Sequence, residues 1–193
     1  MEALEAILGR HMQPKVTQDL VERDLIEMLV QAAVRAPNHH LTQPWRFLVL
    51  AGEELEKLGD VMSERVKTDY EGDANLEKRV EAERAKPLRA PVIVTVIYVP
   101  SSNPMAIEVE DRYTIGAAMQ NMLLAAHAKG LGAYLRTGPA AEDPEVGKFL
   151  GLTESEEIAG FLYVGHPEPG SERGPTRRDD ALERTEWRGY SSK

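Results

Sequence analysis

Residues 35–47, RAPNHHLTQPWRF, join a helical pattern to a β-rich run through a loop bounded by two prolines. Proline disfavours helix at the residue before it, so we expect the preceding helix to end near Ala36. Hydrogen-bonding side chains crowd the loop: Asn38, His39, His40, Thr42 and Gln43. A stiff loop of this kind suits a site for a planar polar ligand. A plain helix-to-strand connection would use the same residues, and the local sequence leaves both interpretations open.

The composition is that of a soluble globular protein, with 42% apolar and 28% charged residues. Its 193 residues predict a single domain, residues 1–193, with a sizeable core. No run approaches the roughly 18 apolar residues of a membrane helix, and the acidic start lacks the basic residues of a secretory signal. We therefore expect a cytoplasmic protein that does not act at a membrane.

Charge and cysteine content exclude several classes of function. A net charge of −9 argues against nucleic acid as a partner, because phosphate neutralisation requires a basic surface. The absence of cysteine excludes disulfides, Cys-ligated zinc, iron–sulfur clusters and thiol nucleophiles. An anionic ligand would therefore be held by a few local arginines against an unfavourable overall field.

Apolar periodicity predicts helices and strands along most of the chain. We predict helices over residues 2–10, 21–35, 53–70, 74–86, 108–129 and 143–150, and strands over 46–51, 91–99, 131–135 and 158–164. The run at 91–99 is almost unbroken in its apolar character, which is typical of a strand covered on both faces. Gly130 suits the end of the long alanine-rich helix before it.

Beyond Pro167 the composition shifts to Pro, Gly, Arg and Asp, so residues 168–193 cannot form a core of their own. Trp187 and Tyr190 lie near the end of this C-terminal arm, and such aromatic side chains usually pack on another surface. An arm that crosses to a partner subunit would satisfy both observations.

The common hydrolytic and nucleotide motifs are absent. The chain has no Gly-x-Ser-x-Gly elbow, phosphate loop, His-Glu-x-x-His or Gly-x-Gly-x-x-Gly fingerprint. His39 and His40 are adjacent, and on an extended chain they would point apart, which is a poor arrangement for a metal. A metal-dependent hydrolase using these histidines is therefore a distant alternative.

Polar segments in three parts of the chain carry the remaining chemistry. Arg10 ends the first predicted helix, the proline-bounded loop follows the second, and Arg136-Thr137-Gly138 follows the strand at 131–135. Together they supply cations for a phosphate, donors for a polar ring edge, and a glycine that allows close backbone approach. These groups suit a mononucleotide held without a dinucleotide-binding motif.

The chain resembles the FMN-dependent bacterial nitroreductase family over nearly its whole length. The resemblance rests on EALEAILGRHM, LVQAAVRAPNHHLTQPWRFLVL, GAAMQNMLLAAHAKGLGAYLRTG and IAGFLYVGHP, in that order. By this resemblance, ten residues would contact FMN: Arg10, His11, Met12, Arg35, Pro37, Asn38, His39, Arg136, Thr137 and Gly138. His11 and Met12 replace the family's second arginine and its serine, which removes a fixed charge and a hydroxyl donor.

The resemblance implies an α+β fold, an α/β/α sandwich with a mixed central sheet, assembled as an intertwined homodimer. It also implies an oxidoreductase in which NADH or NADPH reduces FMN, which then reduces a small-molecule acceptor such as a nitroaromatic or a quinone in a ping-pong reaction. No side chain need act as a general acid or base, because the flavin carries the chemistry. The alternative is a non-enzymatic protein of the same fold that sequesters or senses FMN.

Overall fold

A computed structural model describes residues 2–171 and 174–190. The helices are α1 (Ala3–Gly9), α2 (Arg23–Ala33), α3 (Glu53–Asp69), α4 (Leu76–Arg84), α5 (Glu108–Ala128) and α6 (Pro144–Phe149). The strands are β1 (Trp45–Ala51), β2 (Val92–Tyr98), β3 (Gly132–Arg136) and β4 (Glu157–Gly165). Every predicted helix and strand is present, with ends within a few residues of the prediction. Within the described residues, none of the helices has the length and apolar character needed to cross a bilayer.

Helices cover both faces of one sheet, which makes the fold an α/β/α sandwich. Side chains of α2 and α5 pack with Val92, Val94 and Val96 on one face. Side chains of α3 and α6 pack around Ile93 on the other. All seven residues of β2 are buried, as the unbroken apolar run predicts. The α+β class and the three-layer arrangement are therefore confirmed.

The sheet of the described residues is antiparallel, so the expectation of a mixed sheet is wrong for this chain. The strands lie in the order β1-β2-β4-β3, and all three pairings are antiparallel. In the sequence, helices α3 and α4 connect β1 to β2, and they pack side by side. They bring the chain back to the end of the sheet where β1 finished, so that Val92 at the start of β2 pairs with Ala51. After α5 the chain runs along β3 in the same direction as β2, but β4 inserts between these two strands.

An ion pair ties the edge strand β1 to the loop before β4. Arg46 donates from Nε and Nη2 to the two carboxylate oxygens of Glu156, each at 2.9 Å, and the Thr153 N–H donates to the same carboxylate. These bonds, led by that from Arg46, hold the pKa of the largely buried Glu156 at about 2, against partial opposition from burial. The carboxylate therefore stays charged in the folded protein well below its ordinary pKa of 4.5.

This pairing predicts a specific acid sensitivity. Because the folded-state pKa of Glu156 is lowered, its contribution to the free energy of unfolding is complete above pH 4.5 and is lost as the pH falls towards 2. Replacing Glu156→Gln should lower stability at pH 7, and the difference from wild type should shrink across that window. Denaturant unfolding at several pH values measures it. Glu54→Gln, at an exposed ion pair with Lys57, is the matched control. A difference that is constant with pH would contradict the assignment.

Candidate functional site

The first predicted motif, residues 10–12, leaves the end of α1. Arg10 caps this helix, donating its main-chain N–H to the Ala6 carbonyl oxygen at 3.0 Å. Its side chain turns inward, and the Nη1 atom is buried without a hydrogen-bond partner among the described residues. A buried guanidinium nitrogen that lacks an acceptor is costly, and a bound ligand with a carbonyl or phosphate oxygen would relieve that cost.

A histidine pair borders Arg10. The His11 and His127 rings meet edge to face with centroids 5.7 Å apart, and His11 Nδ1 lies 3.1 Å from the Gly9 carbonyl oxygen. Burial lowers the pKa of His127, the neighbouring His11 and Arg10 lower it further, and Glu5 partly opposes them. His127 therefore favours its neutral form, which leaves Arg10 as the fixed positive charge here. Met12 is exposed.

The segment that follows holds this motif against the end of the sheet. The Gln13 N–H donates to the Ala133 carbonyl oxygen at 3.0 Å, and Val16 lies on the paired glycines of β3 and β4. A Cβ atom at Gly132 or Gly165 would come within 2.6 or 2.8 Å of Val16, so neither position admits a side chain without displacement. Residues 10–12 are thereby fixed beside β3. The strand residue that accepts the Gln13 bond, Ala133, is three positions before Arg136 in the chain.

The third motif, residues 136–138, ends β3 and opens a cleft. The Arg136 guanidinium lies 5.9 Å from the centroid of the Tyr134 ring, which itself stacks on Tyr163. Gly138 has φ 108°, a conformation that side chains disfavour, and the space where its Cβ would lie is open. Thr137 and Gly138 line a cavity of about 850 Å³. A ligand could approach the backbone closely at this point.

The second motif lies elsewhere, against the beginning of α5. The Thr114 hydroxyl donates to the Pro37 carbonyl oxygen at 2.9 Å, and His39 pairs with Glu110 at 2.5 Å. Asn38 bonds within the loop itself. Arg35 is exposed just beyond the end of α2.

The structure corrects the expectation that His39 and His40 point apart. Their rings stack with centroids 3.7 Å apart, because His40 has φ 54° and the chain turns sharply instead of extending. In residues 2–171 and 174–190, three or more carboxylate and histidine groups do not converge as metal ligands would. The histidine pair thus belongs to the loop's packing against Glu110.

Within one chain the predicted contacts form two separate groups. Residues 10–12 and 136–138 both border β3, whereas Pro37 to His39 lie at the other end of α5. That helix rises about 1.5 Å per residue, so Thr114, beside the loop, is about 20 Å from His127, beside Arg10. A single chain therefore does not bring all the predicted contacts to one ligand.

Sequence reasoning missed the side chains that hold these motifs in place. Asp111 and Thr114 hold the loop, the Gln13 side chain bonds to Lys15 and Ser171 in the segment after Arg10 and the base of the arm, and His127 packs on His11. Asp111 and Thr114 lie three apart at the polar start of α5 among other charged residues, so the sequence pattern did not single them out.

Comparison with known proteins defines the class. The profile of the Nitroreductase family matches residues 7–166. YdjA of Escherichia coli K12, a proposed NAD(P)H nitroreductase, is 32% identical over 168 residues, which cover 87% of this chain and 90% of YdjA. The chain belongs to the nitroreductase family.

Solved structures agree with this assignment. A nitroreductase-like protein from Bacillus cereus has a TM-score of 0.81 at 26% identity, covering 98% of this chain and 97% of its own. A proposed nitroreductase from Desulfovibrio desulfuricans, solved in complex with FMN, has a TM-score of 0.75 at 25% identity and covers 99% of both chains. These structures confirm the nitroreductase-like α+β fold that the resemblance implied.

Proposed function

We propose that the protein is a cytoplasmic, FMN-dependent oxidoreductase that uses NADH or NADPH to reduce nitroaromatic or quinone-type acceptors. The observation that carries this proposal is the buried, unpartnered Nη1 of Arg10, which lies within the residues matched by the family profile. YdjA is named for NAD(P)H and nitroreductase activity, and the Desulfovibrio relative was solved with FMN. These names support the cofactor and the reaction class.

The chain's own residues would bind and orient the cofactor. Arg10 and Arg136 offer cations for a phosphate, a ribityl chain or a carbonyl edge, and Gly138 allows the backbone to approach. His11, Met12 and Thr137 would complete the contacts around them. Arg35 would contact the cofactor from the loop side, where Pro37 to His39 would pack near the ring. FMN, when bound, supplies hydride chemistry, and a positive charge at its pyrimidine edge stabilises the reduced form.

A ping-pong order would suit this arrangement. No dinucleotide-binding motif is present, so the nicotinamide would only stack on the open face of the ring and then leave. The acceptor would take the same place. A small molecule is the expected acceptor. Nucleic acid is not an expected partner at a net charge of −9, and no membrane partner is expected because no apolar run is long enough to span a bilayer.

A homodimer would join the two groups of contacts. The Arg10 and Arg136 motifs of one subunit would meet the Pro37–His39 loop of the other, which removes the separation of about 20 Å between Arg10 and the loop within one chain. Exposed apolar side chains on α1 and α5 support a covered surface there: Leu4, Ile7, Leu8, Val109 and Tyr113. Residues 168–193 are proposed to be the arm that crosses to the partner, since Trp187 and Tyr190 contact each other but are 59% and 78% exposed.

One observation favours a second candidate, a protein that binds FMN without turnover. His11 and Met12 stand where the family has arginine and serine, so a fixed charge and a hydroxyl donor are missing beside Arg10. NADPH added under nitrogen separates the two functions. The oxidoreductase would bleach its flavin and recover colour with an acceptor, whereas a carrier would stay yellow.

The purified protein is expected to be yellow and to release FMN, not FAD, on denaturation. The contacts described above suit one phosphate and one ring system, and the chain lacks a dinucleotide motif. Extraction followed by chromatography against both flavins identifies the cofactor. A colourless protein that also fails to take up added FMN would overturn the proposed function.

A further inference from the structure

The proline-bounded loop has a backbone that its own residues disfavour. His40, Leu41 and Gln43 have φ of 54°, 50° and 47°, and none of them is glycine. Side-chain-bearing residues rarely adopt this left-handed region, and they persist there when the surroundings hold them. The loop therefore depends on contacts from outside itself.

A chain of side-chain hydrogen bonds connects the loop to such a contact. Asn38 Oδ1 accepts the Gln43 N–H at 2.7 Å, and Asn38 Nδ2 donates to the Thr42 hydroxyl at 2.7 Å. The Thr42 hydroxyl in turn donates to Asp111 Oδ1. Thr42 therefore links the loop's internal bonds to α5.

Asp111 is the fixed end of this chain of bonds. It lies in the first turn of α5 and is 3% exposed, so its carboxylate needs a donor and its position is set by the core. One turn later, Thr114 is 4% exposed and holds the Pro37 carbonyl oxygen. The same face of α5 thus grips the loop at Thr42 and at Pro37, on both sides of Asn38 and His39.

We propose that Asp111 and Thr42 are positioning residues for the flavin, acting through the loop without touching the cofactor. The inference rests on the proposed function, in which Pro37, Asn38 and His39 contact the ring. With the Asp111–Thr42 bond in place, the loop is held in its left-handed turn before the cofactor binds. Without that bond, the binding of FMN has to order the loop, and affinity falls.

Substitution of Thr42 tests the inference. Thr42→Val keeps the shape and removes the hydroxyl, whereas Thr42→Ser keeps the hydroxyl. Thr17→Val is the matched control, because Thr17 donates to Asp19 at 2.8 Å in another Thr–Asp pair outside the loop. We expect Thr42→Val to weaken FMN binding about tenfold by fluorescence titration, and Thr42→Ser and Thr17→Val to stay within about twofold.

A second readout separates positioning from general loss of structure. At saturating FMN, the visible band of Thr42→Val should differ from wild type in position or resolution, because the loop packs differently on the ring. Asp111→Asn, which can still accept the hydroxyl proton, should lose about threefold in affinity. Combining Asp111→Asn with Thr42→Val should add little to the latter alone, since both act on one bond. If Thr42→Val fails to fold, Asp111→Asn carries both measurements.

Each contrary result has its own meaning. FMN affinity of Thr42→Val within twofold of wild type would overturn the inference. So would a loss that apoprotein melting accounts for entirely, with an unchanged flavin band at saturation. If the wild-type protein itself does not bind FMN, the proposed function fails, and the positioning role fails with it. The wild-type titration therefore tells the two failures apart.

Discussion

Removal of residues 168–193 is expected to turn a flavin-containing dimer into a monomer without FMN. The Arg10 motif is about 20 Å along α5 from the Pro37–His39 loop, so the proposed site needs two chains. A ligand that binds only the dimer also stabilises the dimer, and loss of one entails loss of the other. Sedimentation of the truncated protein, read at the flavin absorption band, measures both at once.

Removal of residues 168–193 could release FMN because the crossing arm is lost, or because hydrogen bonds at the base of the arm are lost. Gln13 Nε2 donates to Ser171 Oγ at 2.8 Å, and the Glu168 N–H donates to the Lys15 carbonyl oxygen at 3.2 Å. The longer truncation removes these bonds to the segment after Arg10. A shorter truncation removes only residues 175–193, so the remaining protein ends at residue 174 and keeps these bonds.

If the crossing arm is what holds the dimer, both truncations should release FMN together with the partner subunit. Loss of FMN in the longer truncation alone would instead assign the effect to the bonds of Gln13 and Lys15. A stable monomer of either form with full FMN occupancy would show that the site lies within one chain.

Arg10→Ala is expected to weaken FMN binding by about 1.5–3 kcal/mol while leaving the apoprotein as stable as wild type, or more so. The fall in FMN affinity and the unchanged or higher apoprotein stability have one cause. In the unliganded chain, Nη1 of Arg10 is buried without a partner, so its removal relieves a desolvation penalty. In the complex, the same atom would donate a charge-assisted bond to the cofactor.

Titration with FMN and melting of the apoprotein measure the two effects separately. Arg177→Ala, on the exposed arm, is a control for the loss of one positive charge. Parallel losses of affinity and apoprotein stability in Arg10→Ala would return Arg10 to an ordinary role as a helix-end cation.

Much of this fold could be predicted from local pattern. The apolar run at 91–99 predicted a strand buried on both faces, and all residues of β2 are buried. The prolines at 37 and 44 correctly placed the loop between α2 and β1. The succession of motifs along the chain was enough to identify the family.

Strand pairing was beyond local pattern. A buried strand looks the same whether its neighbours run parallel or antiparallel, so the periodicity of β2 could not show that β4 would separate it from β3. The loop's left-handed residues were hidden for a similar reason. Histidine, leucine and glutamine rarely adopt positive φ, so their presence does not predict it. The bond from Thr42 to Asp111 joins residues 69 positions apart, so local sequence could not predict it either.

The place of β4 in the sheet also bears on how the protein is made. β2 leaves the ribosome with β1 as its one completed neighbour, and its other edge waits for a strand that ends at Gly165. At about 5–20 residues per second, that wait lasts roughly 3–13 s. For this time a strand that is apolar at almost every position has an unpaired edge in the nascent chain, which is the condition under which strands pair with the wrong neighbour. The charged helices α3 and α4 are among the elements already synthesised at that stage.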